Sequence, residues 1–176
     1  MVQLSSMMWI LATFLGIVGF LRGWNREVVV LAGVLLTMFA LFQFDALIRG
    51  TLLLKFSHAQ TFIIQAAVFL AVVFFAYRNE AFVPEQRSGA KGFQAGILGS
   101  VIGFINGYLI GGTLWYFLDI NEYPLAPYVM SPGPDSPAAH SLSSIPLVLM
   151  SGGLGGSGDT LIVGVVILFL IVLVIM

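Results

Sequence analysis

His58 and His140 are the only imidazoles among the 176 residues, and cysteine is absent. A metal site needs three or four converging nitrogen, sulfur or carboxylate ligands. Neither histidine has a second ligand at a usable spacing, so both read as solvated loop residues and no metal site is expected. Without cysteine there is no thiolate nucleophile and no disulfide framework. No serine stands in the Gly-x-Ser-x-Gly turn that exposes a nucleophilic hydroxyl. Residues 153–158, GLGGSG, spell the glycine pattern of dinucleotide sites. That pattern works only after a strand, before a soluble helix and with an acid about 20 residues further on. Here an apolar block follows, so the segment reads as a flexible hinge. No catalytic residue and no cofactor are assigned.

The remaining polar candidates lie inside apolar blocks: Thr13, Thr37, Gln65, Ser100, Asn106 and Thr113. In lipid such groups chiefly hydrogen-bond neighbouring helices. Gln65 and Asn106 are retained as candidates for lining a pore. No ionisable residue falls in the middle of a predicted span, which argues against a proton-coupled pump.

The elements that must position these residues follow from composition. Hydrophobic residues make up 59% of the chain and charged residues 9%, against roughly 45–50% and about 25% in soluble domains. Such a chain is too poor in charge to coat a water-soluble surface and too apolar to be disordered. The expected fold is all-α: a polytopic integral membrane protein with four to five transmembrane helices. Charges divide the chain into apolar blocks, giving spans over about 4–21, 28–48, 59–77 and 94–118. Together these form a four-helix transmembrane core over 1–118. A Pro/Gly/Ser-rich segment follows over 119–159, with a short apolar stub at 142–150 that reads as interfacial or re-entrant. Residues 160–176 form a probable fifth helix. Its 17 residues reach only about 25 Å, against the ~30 Å of a bilayer core.

Orientation follows from lysine and arginine. Arg22 and Arg26 lie in the first loop, and Arg78, Arg87 and Lys91 in the third; the segment 119–159 has none. These five basic residues, against Arg49 and Lys55 in the second loop, define the cytoplasmic side. The N-terminus is then outside, loops two and four are outside, and the C-terminus is inside. A signal peptide would carry its positive charge before the apolar run. Here the arginines follow it, so the first block reads as an uncleaved span. Trp9, Trp24, Tyr77, Trp115 and Tyr116 lie near span ends, as membrane-interface anchors do. The basic loops also suit anionic lipid headgroups. The net charge of −1 offers nothing to nucleic acid.

Glycine gives the clearest spacing. Gly96, Gly99, Gly103, Gly107 and Gly111 recur at intervals of three or four along the fourth block, and Gly16, Gly19 and Gly23 do so along the first. At that spacing they share a helical face. Small residues on such a face let two backbones approach closely in lipid. The faces serve either packing within one bundle or contact with a partner or second copy. A short echo links the two helices: GFLRGW (19–24) and GFINGY (103–108).

The opening helix with GFLRGWNREVVVLAG (19–33), the glycine-rich GILGSVIGFINGYLIGG (96–112) and the segment SLSSIPLVLM resemble the colicin V production protein (CvpA) family. The resemblance covers about residues 4–150. It implies a four-span inner-membrane protein linked to export of a peptide toxin and to envelope upkeep, with no established reaction and no catalytic residues to carry over. The additional apolar block at the C-terminus departs from that pattern. The expected function is therefore non-enzymatic: support of toxin production, export or envelope maintenance through packing with membrane lipid and protein partners or by self-association. The alternative is a small oligomeric channel or transporter.

Overall fold

The computed structural model describes residues 4–78, 90–133, 139, 145–152 and 158–175. The described residues are helical with no strand. Among them seven α-helices follow in order: α1 Leu4–Arg22, α2 Trp24–Gln43, α3 Asp45–Leu47, α4 His58–Arg78, α5 Ala90–Ile120, α6 Pro146–Ser151 and α7 Asp159–Ile175. Four segments, Leu4–Arg22, Trp24–Gln43, His58–Arg78 and Gly92–Ile120, are long and apolar enough to cross a membrane.

The helix ends have local causes. Gly23 alone separates α1 from α2, at φ 82 and ψ 159, a conformation essentially confined to glycine. The expected first loop therefore contracts to one residue. Arg22 closes α1, while Arg26 and Glu27 lie in the first turns of α2. The second span stops at Gln43 rather than residue 48. Beyond it α3 passes into a π-helical turn over Ile48–Leu52. Ser57 and Gln60 cap α4 reciprocally: the Gln60 amide donates to Ser57 Oγ at 3.3 Å, and the Ser57 amide donates to Gln60 Oε1 at 3.0 Å. Each capped amide is one that the helix itself leaves without an acceptor. The 31 residues of α5 extend about 46 Å at 1.5 Å each.

Burial follows helical periodicity. Met8, Ala12, Gly16 and Gly19 face inward on α1, and Thr61, Gln65, Phe69 and Val73 do so on α4. The other face of each helix is apolar and exposed, as at Ile10, Phe14, Ile17, Ile63 and Phe74. α1 lies antiparallel to α5, with Met8 against Gly111, Ala12 against Gly107 and Gly19 against Gly99 and Gly103. α4 also runs antiparallel to α5: Phe69 meets Phe117 edge-on at 5.9 Å, and His58 lies 3.6 Å from Glu122. The α1–α2 turn and the end of α4 thus share one end of the bundle. The start of α1, the α2–α4 connection and the end of α5 share the other.

α6 overlaps the stretch 142–150 expected to be an apolar stub and extends one residue past it. Proline occupies its first turn and Gly152, at φ 93, terminates it. Pro146, Leu147, Val148 and Ser151 are buried, and the Pro146 ring packs on Gly112 of α5. Gly112 lies eight residues before the end of α5, about 12 Å along the helix axis. α7 spans 17 residues. Leu161 is fully buried, whereas Ile162, Val163, Val166, Ile167 and Phe169 are exposed. His140, Leu142–Ser144 and residues 153–157 of the GLGGSG segment lie outside the described residues.

Candidate functional site

The polar residues that stand inside this apolar bundle converge on Glu27. Its side chain is wholly buried, although the residue reads in the sequence as part of a loop. One carboxylate oxygen, Oε1, accepts from Arg22 Nη1 at 2.6 Å. The other, Oε2, accepts from Asn106 Nδ2 at 2.9 Å. Tyr77 Oη lies 3.5 Å from the same Oε2. Asn106 also donates to the Glu27 backbone carbonyl at 3.1 Å. Arg22 donates its second terminal nitrogen to the Tyr77 carbonyl at 2.8 Å, and its guanidinium carbon lies 4.6 Å from the centre of the Tyr77 ring.

Each partner arrives from a different helix. Arg22 is the last residue of α1, Glu27 lies in the first turn of α2, Tyr77 is one residue from the end of α4 and Asn106 stands midway along α5. The cluster therefore fixes the α1–α2 turn against α4 and α5 at one point. The sequence echo acquires a physical role here. Arg22 and Asn106 occupy the same place in GFLRGW and GFINGY, and each supplies a donor to one oxygen of the same carboxylate. The leading glycines of the two motifs, Gly19 and Gly103, lie backbone to backbone.

An ionised carboxylate accepts only, and a guanidinium donates only. A buried pair of this kind contributes little net stability, but removing one partner strands the other at several kcal/mol. Both carboxylate oxygens accept from donors on other helices, so Glu27 clamps α1, α2 and α5 together. The Asn106 amide must turn its nitrogen toward Glu27, because its oxygen would meet negative charge there. That choice leaves Asn106 Oδ1 buried without a hydrogen-bond partner.

Gln65, the other pore-lining candidate, lies toward the opposite end of α4. It is buried, and its Oε1 accepts from Asn121 Nδ2 at 2.9 Å. Asn106 and Gln65 are thus both engaged by protein partners. Of the basic residues assigned to the cytoplasmic side, Arg22 joins the Glu27 cluster, Arg26 is half-buried in α2 and Arg78 is exposed at the end of α4. Arg87 and the Lys91 side chain lie outside the described residues.

The glycine positions form a separate seam. A side chain on Gly19 would strike the Gly99 carbonyl, and one on Gly103 would strike the Leu15 carbonyl. Gly99 faces Gly19 and Gly23, Gly107 faces Leu11 and Ala12, and Gly96 faces Phe20. Gly16 and Gly111 have more room: a Cβ added at either would stand 3.3 and 3.2 Å, respectively, from its nearest neighbour. Both glycine faces are used on each other within one chain.

At the far end Trp115 Nε1 donates to Tyr123 Oη at 3.1 Å, and Tyr123 donates to Asp119 Oδ1 at 3.0 Å. Burial, offset in part by the Trp115 hydrogen bond, raises the Tyr123 hydroxyl to about 12. Glu27, Tyr77 and Asn121 escaped sequence reasoning as partners. Charge reads Glu27 as loop, and an aromatic near a span end reads as an anchor. The available signal was the matching polar position of the two echo motifs.

No protein-family model matches the chain, and neither the curated proteins nor the solved structures provide a match.

Proposed function

We propose that this chain is a non-enzymatic, multi-pass protein of the inner or plasma membrane, of the colicin V production kind. It supports toxin production, toxin export or envelope maintenance by presenting its helices to partners. The observation that carries this reading is the internally closed bundle. The glycine seam and the Glu27 cluster tie α1, α2, α4 and α5 to one another, while their outer faces remain apolar. Such faces suit lipid and partner helices. The seam glycines are already occupied within the chain, so partner contact or self-association falls to other surfaces, including the exposed face of α7.

The distribution of charge supports an orientation with the α1–α2 turn inside. Arg22, Arg26 and Arg78 lie toward that end, whereas Asp45, Asp119, Glu122 and Asp159 lie toward the other, where they outnumber Arg49 and Lys55. The channel reading needs Gln65 or Asn106 to face water. Their hydrogen bonds to Asn121 and Glu27 favour the partner-binding reading instead. The test is in-cell crosslinking followed by purification and mass spectrometry. A reproducible partner from an export or envelope assembly supports the proposal. A ladder of self-crosslinked chains without any partner, together with solute flux in liposomes, would replace it with the channel.

A further inference from the structure

The end of the bundle opposite Glu27 holds an open pocket of about 160 Å³ between the π-helical turn, the start of α4 and the end of α5. At ~30 Å³ per water this is room for about five waters, the scale of one phosphate and a short polar tail. Its polar wall includes Arg49, His58, Thr61 and Asn121, and Leu53, Leu54 and Phe56 form an apolar rim.

Arg49 is held in place. Its Nε donates to Asp45 at 3.0 Å, and Nη1 donates to the Ile120 carbonyl at 2.8 Å. A guanidinium has five N–H donors, so these two bonds leave it capacity for a ligand. Thr61 is 6% exposed and lines the pocket, and its hydroxyl has no hydrogen-bond partner among the described residues, so it is free to meet a ligand there. The amide-bearing start of α4 adds partial positive charge beside it.

The surroundings nevertheless carry both signs. Asp45 contacts Arg49, and Glu122 lies 3.6 Å from His58 with its side chain 81% exposed. A simple anion would be attracted by Arg49 and repelled by both carboxylates. A group bearing both charges meets neither penalty. The rim adds a second requirement, because Leu54 is 72% exposed and Phe56 45% exposed.

We propose that this pocket binds the zwitterionic head of an amphiphile. Phosphodiester oxygens take donors from Arg49 and Thr61, the ammonium lies toward Glu122, and the hydrocarbon leaves over Leu53 and Leu54. The proposal rests on the membrane reading above, in which this end meets a lipid headgroup layer.

The test uses the purified full chain in detergent, titrated with phosphatidylethanolamine, phosphatidylglycerol or inorganic phosphate and read by native mass spectrometry. Phosphatidylethanolamine is expected to be retained about ten-fold over phosphatidylglycerol, the scale of one charge-assisted hydrogen bond. Thr61→Val lowers that retention about five-fold, the scale of one neutral hydrogen bond, and Thr61→Ser restores it. Glu122→Gln lowers retention of phosphatidylethanolamine and raises that of phosphatidylglycerol. Size-exclusion profiles matching the parent protein establish that the variants are folded. Preference for phosphatidylglycerol, or binding of inorganic phosphate equal to that of lipid, overturns the zwitterion assignment. Retention of neither lipid by folded protein overturns the site. Fractionation of the same chain with cell membranes reports on the membrane reading separately.

Discussion

Adding one methyl group at Gly19 tests the seam at its tightest point. The Cβ of Gly19→Ala would land on the Gly99 carbonyl oxygen and lie 3.0 Å from Gly103 Cα. Both obstacles are backbone, so no rotamer change can relieve them and α1 must move away from α5. Opening a packed contact by 0.5–1 Å forfeits about a quarter to a half of the dispersion attraction between each atom pair. Overpacking of this kind costs about 1–3 kcal/mol. Gly99→Ala meets the Gly19 carbonyl and the Gly23 backbone and should lose a similar amount. Gly16→Ala meets Ser100 O at 3.3 Å and Phe104 Cβ at 3.4 Å, so its loss should be under about 1 kcal/mol, partly offset by the helix propensity of alanine. Gly50→Ala meets nothing within 4 Å and serves as the neutral control. The assay is the unfolding midpoint in mixed micelles titrated with a denaturing detergent. The expected order of loss is Gly19 and Gly99, then Gly16, then Gly50. Equal midpoints for Gly19→Ala and Gly50→Ala would refute the close backbone approach.

Glu27→Gln or Arg22→Gln should each lose about 3–5 kcal/mol by leaving a buried partner unmatched; in a double-mutant cycle the double variant should lose less than the two single losses combined, and strict additivity would argue against the pair. Gly112→Ala directs its Cβ at the Pro146 ring, so α6 should be displaced and a cysteine at Leu147 should gain reactivity; unchanged reactivity would contradict the packing of α6 on α5. The Tyr123 hydroxyl titrates at about 12 in the fold against about 10 in the unfolded chain. Between these values the native state holds the extra proton. This contribution is complete below about pH 10 and is lost as pH rises toward 12, so Tyr123→Phe should lose less stability on that rise than the parent protein.

The apolar blocks made the helical class legible, because length and hydropathy are properties of the chain itself. The glycine spacing marks one small-residue face on each of the first and fourth apolar blocks. What the sequence left open was whether those faces served one bundle or a partner, since spacing describes a face and not its neighbour. The contraction of the first loop to Gly23 was not legible, because charge marks Arg22, Arg26 and Glu27 as solvated. The burial of Glu27 depends on Asn106, which is distant in sequence. Asn106 and Gln65 stood out as polar residues in apolar blocks, but their partners, Glu27 and Asn121, belong to other parts of the chain. The pocket at Arg49 combines a π-helical turn with two helix ends, a juxtaposition that no local pattern encodes.

The chain has no cysteine, so single substitutions report topology without background. Thr51→Cys lies in the exposed α2–α4 connection, and Ser88→Cys falls in the sequence between α4 and α5. In a multi-pass membrane protein with its α1–α2 turn inside, an impermeant maleimide should label Thr51→Cys in intact cells. Ser88→Cys should be labelled only after permeabilisation. Labelling of Ser88→Cys in intact cells, with Thr51→Cys protected, would overturn that topology.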